Sequence, residues 1–198
     1  TADQGFIAIG YYANGSRNYY LKDDICVDSP AKLKGKKIRS MPNATSMDMI
    51  SAMGASPVPM SASETYTALQ QGVVDGAENT ELALTVNGHE DLVASYTYTE
   101  HQYSPDIYII STKTWRTLTA AQKAHLKEAL AKTNDNFKRK YNDMMAAAIE
   151  EAKQHGVKIY YDIDKTELIA SVRPIAEEFM NRGQDYRALF TDIQRYEQ

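Results

Sequence analysis

Two arginines, Arg17 and Arg39, are the residues whose type and position best suit the binding of a small anion. Arg17 follows the turn signal Asn14-Gly15, and Arg39 lies near the end of a predicted strand, just before a Pro-Asn loop. A guanidinium is a planar fork of donors that pairs a carboxylate with two hydrogen bonds. Ligands of open α/β sheets bind beyond the carboxyl ends of strands, where Arg39 would lie. From spacing alone, a surface arginine or a salt bridge is the more frequent role.

A third candidate, Asn79, ends the polar segment 75–79 between a predicted strand and a predicted helix. Its amide offers both a donor and an acceptor, so it could orient a hydroxyl or carboxylate oxygen of a ligand. The alternative is that Asn79 caps the helix that follows, which residue propensity favours.

Catalytic and metal-binding patterns are weak. His125 and His155 lie in or at the end of the longest predicted helix, and without a carboxylate or cysteine at ligand spacing we expect surface positions for both. The tripeptide His89-Glu90-Asp91 is not a recognised zinc arrangement. The single cysteine, Cys26, excludes an intramolecular disulfide and any zinc site built on cysteine pairs. Nucleophile elbows, Walker loops and dinucleotide fingerprints are absent. The sequence therefore predicts binding rather than catalysis, with no cofactor and no metal.

Composition excludes several classes of protein. The 198 residues carry 22 Lys and Arg against 26 Asp and Glu, a net charge of −4, and the longest basic cluster, residues 32–39, is short and lacks interleaved aromatics. Nucleic-acid binders usually show a basic stripe, so we expect no nucleic-acid partner. No apolar run approaches the roughly 18 residues that a membrane-spanning helix needs. The first residues lack the pattern of a signal peptide.

Short strands alternate with helices along the chain, which predicts an α/β fold. Helices are expected over residues 30–34, 47–53, 61–71, 80–87, 119–155 and 166–182. Strands are expected over residues 5–12 (buried), 17–21, 37–41, 55–60 (an edge strand or an extended connector, because it holds two prolines), 73–76 (a short strand and turn), 103–111 and 157–160.

The longest predicted helix starts at a capping box, Thr119 with Gln122, and runs without proline or glycine to Gly156. Its apolar residues recur at helical spacing. Such a length predicts a spine helix that crosses the whole molecule. A coiled coil is the alternative, although the charges do not form clean heptads.

Four segments together resemble the DctP-type solute-binding proteins of TRAP transporters. They are NGSR at residues 14–17, SPAKLKGKKIRSMPN at 29–43, MGASPVPMSASETYTALQQGVVDGAEN at 53–79, and WRTLT at 115–119. The resemblance extends from about residue 5 to the final helix, and the block ending in GAEN is its most specific part.

The resemblance implies a periplasmic-binding-protein-like architecture of two α/β lobes with a long spine helix. It also implies a periplasmic receptor that binds an organic acid and delivers it to the membrane permease subunits of a TRAP transporter. A sugar acid such as a uronate is the favoured ligand, and a C4-dicarboxylate comes next. The carboxylate-clamping arginine of the family falls on Arg39, a second ligand-facing arginine on Arg17, and the ligand-facing asparagine on Asn79.

Two departures from the family pattern carry expectations of their own. Members of the family extend roughly a further third of their length before the point that matches residue 5. We therefore expect residues 1–198 to be the C-terminal portion of a solute-binding protein. The second lobe would lie at about 10–105, and the spine helix and first-lobe remnants at about 106–198. The core face left exposed would favour dimerisation. In addition, Ala62 replaces a phenylalanine of many members, which leaves room for a larger ligand.

Two other functions compete with that of a receptor. One is a structural or interaction module that uses the long helix as its partner surface. The other is an enzyme acting on a small acid, which the lack of an activated nucleophile or metal constellation disfavours.

Overall fold

A computed structural model describes residues 2–12 and 14–195. The described strands are β1 (Phe6–Tyr12), β2 (Ser16–Leu21), β3 (Lys37–Ser40), β4 (Ser56–Pro59), β5 (Gly76–Asn79), β6 (Ser95–Tyr103), β7 (Asp106–Ser111) and β8 (Lys158–Tyr160). The described helices are α1 (Pro30–Leu33), α2 (Ala44–Ala52), α3 (Thr65–Gln70), α4 (Glu81–Val86), α5 (Thr112–Thr117), α6 (Ala120–Gln154), α7 (Thr166–Asn181) and α8 (Gln184–Gln194), with short 3-10 turns at Ala2–Gln4, Ala62–Glu64 and His89–Asp91.

Six strands form a mixed sheet in the order β4-β3-β5-β2-β6-β8. The β3 strand runs parallel to β4 and β5, whereas β2 runs antiparallel to β5 and β6, and β8 is parallel to β6. The predicted edge position of β4 is confirmed: Pro57 and Pro59 lack an amide hydrogen, so the strand that holds them suits the border of a sheet. The α/β class expected from the alternating elements is confirmed.

Apolar cores cover both faces of this sheet. Successive side chains of β2 point to opposite faces, so Tyr20 joins one core and Tyr19 the other, and all six residues of the strand are buried. The first core packs α3, α4 and the end of α6 on the sheet through buried residues that include Leu69, Leu84 and Ile149. The second core does the same for α1, α2 and α7 through residues that include Leu33, Ile50 and Leu168.

A smaller sheet pairs β1 with β7 and lies against the first half of α6. The ring of Tyr12 meets that of Phe137 at 4.5 Å, and the Asn134 side chain donates to the carbonyl of Tyr11 at 2.7 Å. On the other side of the sheet, Ile107 and Ile109 are 59% and 61% exposed. The strand predicted over residues 5–12 is confirmed as β1, but its predicted burial is wrong, because a two-stranded sheet covered by one helix leaves its outer side open.

The spine helix predicted from the capping box is confirmed as α6. Its 35 residues extend about 52 Å at 1.5 Å per residue. The Thr119 hydroxyl accepts from the Gln122 amide, and the Gln122 side chain accepts from the amide of Thr119. The helix ends at His155 as C-cap, before Gly156 with φ of +88°. Since its first half contacts the small sheet and its end is buried on the large one, α6 joins the two.

Some predicted boundaries were wrong. The strand expected over residues 103–111 is two strands, separated at Ser104-Pro105, and β6 was not predicted over residues 95–102. The strand expected at 73–76 begins at Gly76 instead, and α8 was not predicted. Among the described helices, none is long and apolar enough to cross a membrane.

Candidate functional site

A buried ion pair joins two central strands at the end that faces the Asn14-Gly15 turn. Arg17 on β2 donates from Nε to Glu78 Oε2 at 2.5 Å and from Nη2 to Oε1 at 2.9 Å and the carbonyl of Glu78 at 2.7 Å. The Glu78 side chain has no exposed surface, and that of Arg17 is 9% exposed. The pair is bidentate, the geometry in which a guanidinium holds a carboxylate most firmly.

The electrostatics of Glu78 are set by opposing effects. Burial favours the neutral acid, but the nearby imidazole of His101 and the hydrogen-bonded guanidinium of Arg17 outweigh it and lower the pKa of Glu78. The His101 ring, itself buried, stacks on Tyr19 at 4.5 Å and lies 3.6 Å from Glu78 Oε2. Burial lowers the pKa of His101 in spite of Glu78. Sequence reasoning missed Glu78 and His101, although an acidic residue between Ala77 and Asn79 in a buried strand was a usable signal.

Asn79 connects the ion pair to the start of α4. Its Oδ1 accepts from Arg17 Nη1 at 2.9 Å and from the backbone amide of Thr80 at 3.0 Å. The carbonyl of Asn79 accepts from the Tyr96 hydroxyl at 3.2 Å. Its Nδ2 makes no hydrogen bond to any described residue, so the donor end of the amide is left for a ligand.

Arg17 and Asn79 line one side of an open cleft of about 300 Å³. Its described lining contains an arginine and no acidic residue; the other lining residues are Asn14, Gly15, Thr80, Leu82, Ala83, Val86, Ser104 and Tyr141. A larger cavity of about 470 Å³ is lined by Asp28, Asp162, Asp164 and Glu167 and by no lysine or arginine. The larger cavity therefore repels an anion, whereas the described lining of the first cleft has no acidic side chain that would do so.

Arg39 lies on β3, one strand away, and is almost completely buried. Its Nε and Nη2 donate to the carbonyl of Met60 at 3.2 and 2.9 Å. Within the described part of the chain, no carboxylate lies within 4.0 Å of the guanidinium. Burial lowers the pKa of Arg39, which is the effect expected of a desolvated cation.

The structure thus brings together two of the three predicted site residues. Arg17 and Asn79 share a hydrogen bond and a cleft. Arg39 pairs in register with Ala77, two residues before Asn79 on β5, but it is not part of the described cleft lining. The two arginines are nevertheless coupled electrostatically, because the charges of Glu78 and Arg17 both act on Arg39.

Comparison with known proteins identifies relatives along the whole chain. Residues 1–183 match the bacterial extracellular solute-binding protein family 7, DctP. The uncharacterized protein YiiZ from Salmonella typhimurium is 39% identical over 98% of the chain.

Solved structures share the fold. A TRAP periplasmic solute-binding protein from Anaerococcus prevotii, with bound D-glucuronate, superposes with a TM-score of 0.92 at 34% identity over 99% of this chain. One from Xanthobacter autotrophicus, with bound β-D-galacturonate, gives a TM-score of 0.91 at 26% identity over 98% of the chain. The chain spans 59% of the Salmonella protein and 63% and 64% of these two structures.

Proposed function

The chain belongs to the DctP family of bacterial extracellular solute-binding proteins, and from this membership we propose that it is part of a periplasmic receptor for a small organic acid. The receptor delivers its ligand to the membrane permease subunits of a TRAP transporter and catalyses no reaction. A uronate is the favoured ligand, since relatives of the same fold hold D-glucuronate and β-D-galacturonate. A C4-dicarboxylate comes next.

The observation that carries the proposal is that Arg39 is buried, has no described counterion and has N–H donors that are not used. A guanidinium has five N–H donors. In Arg39 the edge formed by Nε and Nη2 is used on the carbonyl of Met60, which leaves both donors of Nη1 and one of Nη2. Two of these three, one on each Nη, form the edge that binds a carboxylate bidentately. A buried cation without a counterion is costly, and a ligand carboxylate would compensate it.

Arg17 and Asn79 have supporting roles in this proposal. Four of the Arg17 hydrogen bonds go to Glu78 and Asn79, and one Nη1 donor remains. With the charge of Arg17 neutralised by Glu78, its remaining donor and the Nδ2 of Asn79 suit neutral hydroxyls or carbonyl oxygens better than a second carboxylate.

This charge distribution favours a uronate over a dicarboxylate. A uronate carries one carboxylate and several hydroxyls, which match one uncompensated arginine and a cleft with the hydroxyls of Thr80 and Ser104 and the amide of Asn79. A dicarboxylate would place its second charge where the only described arginine of the cleft lining is already paired. Ala62 is exposed, and since the family resemblance places it where many members have phenylalanine, we expect it to leave room for a larger ligand such as a sugar ring.

The architecture suggests how capture would proceed. In the proposed division, the six-stranded sheet is the core of the second lobe, the β1–β7 sheet belongs to the first, and α6 connects them. Closing the lobes around an acid would desolvate its salt bridge with Arg39 and strengthen it. The ligand would then shift an equilibrium between open and closed states by its differential affinity. The dimer expected of the exposed face of the small sheet remains a prediction, which light scattering tests.

Isothermal titration calorimetry tests the proposed function. D-glucuronate, D-galacturonate and succinate are titrated into this chain and into a chimera in which the N-terminal portion of the Anaerococcus prevotii protein precedes it. D-glucose is the control ligand, because it keeps the ring hydroxyls and lacks the carboxylate. We expect uronates to bind the chimera more tightly than succinate does, with no heat from glucose. Binding of glucose, or silence with every acid, would contradict the proposal.

A further inference from the structure

A second group of polar side chains lies at the other end of α4, where a 3-10 turn meets the end of α6. Glu90 belongs to the turn His89–Asp91, Glu151 to the last turn of α6, and His155 is its C-cap. Each offers one ligand atom, and the three atoms all lie within 4.8 Å of one another. None of these residues lines the cleft that holds Arg17 and Asn79.

The expectation that His155 lacks a carboxylate at ligand spacing is wrong. Glu151 precedes His155 by four residues, so the two side chains share one face of the helix. The tripeptide His89-Glu90-Asp91 matches no zinc motif by itself. The fold instead combines Glu90 of this turn with two residues that lie more than 60 positions later.

Glu90 provides an independent indication of a missing partner. The residue is 6% exposed, and its Oε2 is buried without a hydrogen-bond partner. Among the described residues, no lysine or arginine nitrogen lies within 4.0 Å of the carboxylate of Glu90 or Glu151. Buried carboxylates are normally paired or bound to a metal, so a buried carboxylate with an unpaired oxygen beside two further ligand groups calls for a cation.

Two features of the surroundings favour a metal ion. The Nδ1 of His155 lies 2.6 Å from Asp91 Oδ1, and a carboxylate on one ring nitrogen is the usual outer-shell partner that orients a metal-bound histidine. The carboxylate also fixes the tautomer in which Nε2 keeps its lone pair. In addition, the end of a 35-residue helix carries the negative pole of the helix dipole, which attracts cations.

We propose that Glu90, Glu151 and Nε2 of His155 form a site for a divalent transition-metal ion, with Zn²⁺ as the best match. One imidazole and two carboxylates suit zinc, whereas Ca²⁺ and Mg²⁺ prefer oxygen ligands alone. Donor atoms around a tetrahedral zinc ion are about 3.4 Å apart, given bonds of about 2.1 Å. Separations of up to 4.8 Å reach that value through small movements of Glu151 and His155, both of which are exposed.

The ion would link the 3-10 turn that follows α4 to the end of α6. The helix α4 packs on α6, and Asn79 and Thr80 lie at its start. The bound ion would therefore stabilise the packing of α4, which holds one side of the cleft, without being part of the cleft. The role that we assign to the ion is structural, because none of its three ligands lines the cleft that holds Arg17 and Asn79. It is also independent of the proposed acid binding, and the two hypotheses fail separately.

The test uses the untagged chain after removal of metals with a chelator. Zn²⁺, Co²⁺, Mg²⁺ and Ca²⁺ are titrated separately, with calorimetry and thermal unfolding as readouts. We expect one equivalent of Zn²⁺ to bind and raise the melting temperature, and Co²⁺ to bind with the visible absorption of a low-coordinate ion. Mg²⁺ and Ca²⁺ should have no effect at the same concentrations.

Four variants make the test specific. Glu90→Gln and His155→Ala each remove a ligand and should weaken zinc binding by more than 100-fold, whereas Asp91→Asn should weaken it by about 10- to 100-fold, as for an outer-shell partner. His125→Ala removes a histidine near the other end of the same helix and should bind zinc as the parent does. Without metal, Glu90→Gln should melt no lower than the parent, because it removes an uncompensated buried charge. Failure of Zn²⁺ to bind, or parental affinity in Glu90→Gln or His155→Ala, would overturn the proposal.

Discussion

Replacing Arg39 with methionine separates the binding role of this residue from its structural role. Methionine keeps a long apolar stem in the space that the Arg39 side chain occupies but has no charge and no donor. In the ligand-free chain the change removes two hydrogen bonds to the carbonyl of Met60 and also removes a buried cation that has no counterion. These effects oppose each other, so the free energy of unfolding should change by no more than about 1 kcal/mol.

The effect on binding should be much larger. Truncating one partner of a buried, hydrogen-bonded charge pair costs about 2–5 kcal/mol. At about 1.4 kcal/mol per tenfold change, this corresponds to a roughly 30- to 4,000-fold weaker Kd for D-glucuronate. Arg39→Lys should fall between the parent and Arg39→Met, because an ammonium keeps the charge and loses the bidentate fork.

Calorimetric titration of D-glucuronate into the chimera, with urea unfolding of each variant, measures both quantities. Arg116→Met is the matched control, because it removes an exposed arginine of α5 and leaves the site intact. The reasoning is refuted if Arg39→Met binds D-glucuronate within threefold of the parent. It is also refuted if the loss of binding is accompanied by an equal loss in Arg116→Met.

Three further outcomes follow from the buried polar groups and the backbone. Glu78→Gln should lower the free energy of unfolding by about 3–5 kcal/mol in urea titrations at pH 7, because Arg17 is left buried without its counterion. The control Glu177→Gln changes an exposed residue and should stay within about 0.5 kcal/mol of the parent. Burial lowers the pKa of His89 to about 4, so below pH 6.5 the unfolded chain binds a proton that the folded chain does not. The free energy of unfolding should therefore fall by about 1–2 kcal/mol from pH 7 to pH 5. His89→Gln should flatten that part of the curve of unfolding free energy against pH. Gly76→Ala should lower the free energy of unfolding by about 3 kcal/mol or more, because the added methyl would overlap a backbone carbonyl of β2. The loss is measured as a lower urea midpoint or as a loss of soluble protein. An unchanged midpoint would mean that the two strands are not packed as described.

Local signals in the sequence were sufficient for the long helix and the edge strand. The capping box of Thr119 and Gln122 and the absence of helix breakers before Gly156 fix α6 by local rules, and prolines fix the position of β4. The β6 strand has no such signal. Its stretch Ser-Tyr-Thr-Tyr-Thr is polar by composition, but the strands on either side bury it, and Thr97 is completely inaccessible. Burial of that kind is a tertiary effect that periodicity does not reveal.

The site shows the same division between local and tertiary information. Sequence similarity pointed to Arg17, Arg39 and Asn79, but spacing could not show that Arg17 is neutralised by Glu78, 61 positions later. Asn79 was expected either to cap a helix or to face a ligand. The N-cap of α4 is Thr80 instead, and Asn79 Oδ1 accepts from the adjacent Thr80 amide, while the ligand-facing role of its amide stays a prediction. Partners that are distant in the chain decide which arginine remains free for an anion.

A crystal structure of the chimera with bound D-glucuronate tests the central claim most directly. We predict that the ligand carboxylate lies on the Nη1–Nη2 edge of Arg39 with two hydrogen bonds of about 2.7–2.9 Å, while Nε still donates to the carbonyl of Met60. The Arg17–Glu78 pair should be unchanged, with Asn79 Nδ2 donating to a ring substituent of the sugar. A carboxylate bound elsewhere, with Arg39 in contact only with Met60, would contradict the account.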